Sequence, residues 1–112
     1  MEMRAVVMAV AATILFLGCS GGVSDEELAK LSPSEGGKKV FVARCKTCHT
    51  VDGLGGGVRG PNLSKVGSRM DQPTLAKFVR DPQSVKPASR MPPLAISDRE
   101  AEAVAAYLSE LK

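Results

Sequence analysis

Cys45-Lys46-Thr47-Cys48-His49 packs more potential chemistry than any other stretch of this sequence. One helical turn puts two thiols three residues apart on the same side. Each can add to one vinyl group of a haem, and the adjacent imidazole then lies under the iron. Three uses of Cys-x-x-Cys compete. A redox dithiol of the thioredoxin kind expects a strand–helix–strand setting, which this sequence lacks. A structural zinc site takes four N or S ligands, whereas His49 is the only histidine and Cys19 the only other cysteine. Covalent haem attachment through Cys45 and Cys48, with His49 as axial ligand, accounts for all three reactive side chains. A six-coordinate iron needs a second axial ligand, and without a second histidine that falls to methionine. Beyond the first segment only Met70 and Met91 remain. Met91 sits in Arg90-Met91-Pro92-Pro93, where prolines stiffen the backbone and can fix a thioether over iron. Met70, just ahead of a predicted helix, reads as core filler.

Several helices are expected to position these groups. Ser32-Pro33-Ser34-Glu35 combines a capping box with proline at the first helical position, and predicts a helix to about Cys45. Gly37, Phe41 and Arg44 fall on one face of it, and Gly37 suits close approach of another helix. Pro73 to Arg80 predicts a short helix capped by Asp71, with Leu75, Phe78 and Val79 inward. Pro82 ends it near Asp81. Residues 83–94, with Pro87, Pro92 and Pro93, read as an extended rigid loop. Ser97-Asp98-Arg99-Glu100 opens a last helix to about Leu111, with an apolar stripe of Ala101, Val104, Ala105, Leu108 and Leu111. The five glycines between Val51 and Gly60 read as loop. They lack the Gly-Lys-Ser/Thr ending and flanking strand of a phosphate-binding loop. Nothing alternates with period two, so the fold class is all-α.

The N-terminal residues do not read as part of that domain. Arg4 is followed by thirteen uncharged residues, Ala5 to Leu17. That length suits the apolar region of an export signal and falls short of the ~20 residues of a spanning helix. Phe16-Leu17-Gly18-Cys19 resembles the bacterial lipoprotein signal, with lipid on Cys19, although Phe16 stands where Leu is usual. Residues 1–18 are thus read as a signal peptide, 19–34 as a lipidated N-terminus and flexible tether, and 35–112 as the functional domain. Ser24 to Glu27 also forms a capping box, leaving room for a short helix through Leu28 and Leu31. Lipid on Cys19 and haem on Cys45 and Cys48 would leave no free thiol. The product would be exported, on the periplasmic side, and anchored to a membrane by its lipid.

Composition points the same way. The 112 residues contain no Trp and one Tyr. Outside the signal segment only Phe41, Phe78 and Tyr107 carry large rings, so a bound cofactor is expected to fill the core.

From about Gly36 to Lys112 the chain resembles class I cytochrome c. The matching features come in order: Gly37, Phe41, Cys45-x-x-Cys48-His49, Gly60-Pro61-Asn62-Leu63, Met91-Pro92 and Tyr107-Leu108. The resemblance implies three to five helices wrapped around one covalently bound haem c. It also implies that the first and last helices cross at the glycine, with Phe41 against Tyr107, and that the Pro61 carbonyl accepts a hydrogen bond from His49 Nδ1. The tryptophan that holds a propionate in many members has no counterpart, leaving Arg59, Arg69 and Asn62 as substitutes.

The implied activity is outer-sphere transfer of single electrons, with no substrate chemistry at the iron. Residues 30–90 carry twelve Lys and Arg against four Asp and Glu. Lys38, Lys39, Lys46, Lys65, Lys77 and Lys86 are candidates for steering the domain onto an acidic redox partner, an oxidase or reductase. Nucleic acid does not suit an exported protein. The competing function is a haem sensor or peroxidase-like protein whose Met91 is displaced by a small ligand.

Overall fold

Capping chemistry sets where the helices begin. The computed structural model describes residues 22–57 and 59–112. Among them run five α-helices: α1 (Asp25–Ala29), α2 (Pro33–Val40), α3 (Gln72–Arg80), α4 (Pro82–Val85) and α5 (Asp98–Ser109). A π-helical turn, Phe41–Cys45, continues α2, and a 3₁₀ turn, Val66–Ser68, precedes α3. The only β pairing among the described residues is an isolated bridge between Val51 and Leu54. The signal segment and Cys19 lie outside the described residues.

Two reciprocal capping boxes form where the sequence predicts them. Ser32 Oγ accepts from the Glu35 N–H at 3.3 Å, and Glu35 Oε2 accepts from the Ser32 N–H at 3.4 Å. Ser97 and Glu100 repeat the arrangement at α5, at 3.1 and 3.3 Å. Asp71 Oδ1 caps α3 by accepting from the Thr74 N–H at 2.9 Å. Hydrogen bonds from Thr74 hold the Asp71 carboxyl below its ordinary pKa. Each such cap contributes about 1 kcal/mol.

The frame is the crossing of α2 and α5. A Cβ on Gly37 would stand 2.1 Å from the Ala103 carbonyl oxygen and 2.5 Å from Tyr107 Cβ. The two backbones therefore meet with no room for a methyl group. One turn on, Phe41 is fully buried, and its ring centroid lies 6.2 Å from that of Tyr107 at an interplanar angle of 58°. Desolvation in this packing pushes the Tyr107 hydroxyl pKa up, with the Asp52 charge adding to it. Leu75, Ala76 and Val79 of α3 complete the apolar cluster with Val40, Ala101, Val104, Ala105 and Leu108. Phe78, expected inward, is only half-buried, and Ala76 takes its place in the core. A 3.6-residue period puts 75, 76 and 79 on one face, with 78 at its edge.

Gly37→Ala separates two effects of opposite sign. Helix propensity alone would favour alanine by about 1 kcal/mol. The steric conflict with the α5 backbone costs about 3 kcal/mol, as overpacking of a filled interface does. A net loss of about 2 kcal/mol is expected in urea denaturation; an unchanged or raised midpoint would contradict this crossing.

Two expectations are corrected. Residues 83–94 are not all extended, because Pro82–Val85 forms a helical turn. Pro82 suits the first helical position, is fully buried, and accepts from the Lys86 N–H at 2.9 Å. Nor is 19–34 a tether throughout. From Val23 onward it is docked: the Val23 N–H donates to Glu100 Oε2 at 3.2 Å, and Ser97 Oγ donates to Asp25 Oδ1 at 3.0 Å. Glu27 pairs with Lys39, and Leu28 packs on the core. Glu100 is the pivot. It is 4% exposed, caps α5, holds Val23, and lies 3.6 Å from Arg44 Nε. A carboxylate buried at this depth needs hydrogen-bond partners of this kind.

Candidate functional site

The π turn delivers the reactive string. The Lys46 N–H reaches back five residues to the Phe41 carbonyl at 3.0 Å, a widened turn of a kind that recurs at functional sites. The Cys45 carbonyl then accepts both the Cys48 N–H, at 3.0 Å, and the His49 N–H, at 2.9 Å. All three reactive side chains thus leave one tight turn. Cys45 is buried, while Cys48 and His49 are half-buried, and the two cysteines are not joined to each other by a disulfide. Burial pushes the Cys45 thiol up to about 11, with the Cys48 and Glu100 charges adding and Arg44 opposing.

His49 is held on two sides. Its Nδ1 lies 2.8 Å from the Pro61 carbonyl oxygen. Since a carbonyl only accepts, Nδ1 carries the proton and Nε2 keeps its lone pair free to bind a metal. The ring rests against Gly60, where a Cβ would come within 2.3 Å of Cε1 and 2.8 Å of Nε2. The Gly60 N–H in turn donates to the Cys48 carbonyl at 2.8 Å. Gly57 presses on the same turn: a Cβ there would stand 2.4 Å from the Thr47 carbonyl oxygen. Thr50 Oγ1 fastens this loop to the turn by donating to the Gly57 carbonyl at 3.1 Å. The turn at its start runs through positive φ at Asp52 (44°) and Gly53 (81°). Sequence reasoning read these glycines as loop only. Their density directly after a reactive motif was the available signal that they wrap it.

Met91 stands on a different element, the loop between α4 and α5, half-buried and outside the main apolar cluster. Met70 packs against that cluster, as a core filler does. The substitutes suggested for propionate binding are not gathered. Arg59, Arg69 and Asn62 are all exposed, and Asn62 Oδ1 is taken by the Ser64 N–H at 2.8 Å. An open cleft of about 420 Å³ lies between Lys46–Thr47 and Leu54–Gly57. Its walls include none of Cys45, Cys48, His49 or Met91.

The donor set fits a haem c: two thiols on one turn, an imidazole with a free Nε2, and a glycine cradle that any Cβ would fill. Among the described residues no three His, Cys, Asp or Glu side chains converge as a bare metal ion would need, and no helix is long and apolar enough to cross a membrane.

Known proteins share this arrangement of sequence and fold. The family model described as Cytochrome c matches residues 34–112. Cytochrome c-551 of Bacillus subtilis (strain 168) is 26% identical over 117 residues, covering 99% of this chain and 97% of that protein. The crystal structure of the c-type cytochrome SorU from Sinorhizobium meliloti superposes with a TM-score of 0.56 at 29% identity, over 70% of this chain and 90% of that one. The family match runs from the first turn of α2 to the last residue and takes in the whole frame that holds the Cys-x-x-Cys-His turn, so the chain belongs to the class I cytochrome c family, haem proteins of electron transfer.

Proposed function

We propose that this protein is a membrane-tethered one-electron carrier, with a single haem c bonded through Cys45 and Cys48 and ligated by His49 and Met91. The observation that carries this is the 2.8 Å contact of His49 Nδ1 with the Pro61 carbonyl, one turn from the two thiols. Haem c, when bound, supplies a reversible one-electron iron couple. The chain's own residues set its character. Pro61 fixes the tautomer and orientation of the His49 ring. Gly60, with no Cβ, lets the backbone lie against the flank of the ring. A neutral Met91 thioether favours the less positive ferrous charge and raises the potential relative to a second histidine. With His49 and Met91 both holding the iron, no coordination position would be left for a substrate, and the protein is read as a carrier and not an enzyme. A redox titration tests this: a one-electron curve with the weak red-end absorption band of thioether-ligated ferric haem supports it. Absence of the band with rapid carbon monoxide binding would favour the ligand-displaceable sensor or peroxidase-like reading.

Export by residues 1–18 and lipid on Cys19 complete the proposal. Because Val23 is held by Glu100, the link from Cys19 to the docked chain is four residues, at most about 14 Å. The haem domain would then ride close to the membrane surface, not swing on a long tether.

Docking to an acidic redox partner through exposed lysines is part of the same proposal. Lys39 is ion-paired with Glu27, whereas Lys38, Lys46, Lys65, Lys77 and Lys86 are exposed and make no ion pair among the described residues. Raising ionic strength from low to physiological is expected to slow electron transfer to an acidic partner by about tenfold. A flat profile would remove the steering role.

A further inference from the structure

The loop that carries Met91 has few means of holding itself. Pro87, Pro92 and Pro93 contribute no N–H, and the first backbone hydrogen bond beyond Met91 is from Ile96 to Leu94, at 2.9 Å. The restraint comes from α4. The side-chain amide of Gln83, half-buried, donates to the Ser89 carbonyl at 3.1 Å and to the Met91 carbonyl at 2.9 Å. Its two protons are thereby both used. Across the same turn the Met91 N–H donates to Ser89 Oγ at 3.3 Å. Gln83 thus grips the chain on both sides of Arg90. Its own base is firm, because neighbouring Pro82 is fully buried and α4 is closed by the Lys86 N–H on the Pro82 carbonyl.

We infer that Gln83 is a positioning residue for the sulfur ligand: its amide clamps the Met91 loop and sets how often the thioether leaves the iron. This rests on the reading of Met91 as an axial ligand. Without the clamp, the loop between α4 and Pro92 keeps only the Ser89 turn, and its opened form becomes more populated. A small ligand that takes the vacated position binds in proportion to that open population.

Imidazole binding to the ferric holoprotein, followed by loss of the red-end band, reads the open population directly. Gln83→Met keeps the volume and removes both donors. It is expected to raise the apparent imidazole affinity about tenfold, as loss of two ordinary hydrogen bonds would. Ser84→Ala is the control, since it removes only the Ser84 Oγ bond to the Asp81 carbonyl at the start of α4 and is expected to change the affinity less than about twofold. If Gln83→Met does not accumulate, Gln83→Asn gives the same rise, being too short to span both carbonyls. Wild-type affinity in the Gln83 variants would overturn the inference and leave Met91 standing as ligand. So would an equal rise in Ser84→Ala, which would mark a general role in α4 stability. A wild-type protein that binds imidazole as tightly as Met91→Ala would overturn the ligand reading and the inference with it.

Discussion

His49→Ala is expected to cut the yield of exported, haem-loaded protein by about an order of magnitude or more. Two losses combine. On the proposed ligation, a bound haem iron would lose the ligand that couples it to the chain. The Pro61 carbonyl and the Gly60 surface also lose the ring they are built around, at 2.8 Å and in van der Waals contact. The described core has one fully buried aromatic ring, Phe41, among small aliphatic residues, so a cofactor that no longer organises its surroundings leaves little to hold the fold. Pyridine haemochrome absorbance per unit of exported protein is the measurement. Near-normal loading with an intact fold would show that His49 is not the ligand. Pro61→Ala keeps the carbonyl and should preserve most of the loading, which separates loss of the ring from loss of loop rigidity.

Met91→Ala is expected to act on the other side and in another way. Haem attachment should persist, because Cys45, Cys48 and His49 are untouched on their own turn. The reduction potential should fall by on the order of 100 mV, since a neutral thioether favours ferrous iron and the water or hydroxide that replaces it does not. The red-end band should vanish, and carbon monoxide should bind rapidly. Met70→Ala provides the contrast. Met70 packs on the core, so its removal should lower stability by about 2 kcal/mol or more and leave the potential in place. An unchanged potential in Met91→Ala, or a shifted one in Met70→Ala, would reassign the ligand.

What was legible in the sequence was what depends on a few neighbouring residues. Ser32 with Glu35, Ser97 with Glu100, and Asp71 with Thr74 announce helix starts, because the capping atoms lie within three residues of the groups they satisfy. Gly37 was legible as a point of close helix approach from its poor helix propensity inside a predicted helix, whereas the identity of the partner helix and the contact of Phe41 with Tyr107 followed only from the ordered family features. The π turn at Phe41–Cys45 was not legible. Its widened hydrogen bonding depends on how α2 is fixed against α5 while the Cys45 carbonyl collects two donors from the reactive turn. Glu100 was read as a cap and nothing more. Its grip on Val23, 77 residues away in sequence, arises only from tertiary packing and converts most of a supposed tether into part of the domain. The helical turn of α4 was masked by counting prolines as breakers; Pro82 starts a helix there, and that turn presents Gln83 to the loop. Within the site, the motif named the reactive residues, while the close contacts of Gly57 and Gly60 needed coordinates.

Intact-mass spectrometry of the native protein, combined with extraction in acidified acetone, decides whether a haem is covalently bound to this chain. A chain heavier by one haem that acid acetone does not remove is expected, with Cys45 and Cys48 unreactive to alkylating agents. A colourless, folded chain in which both cysteines alkylate after denaturation would contradict it.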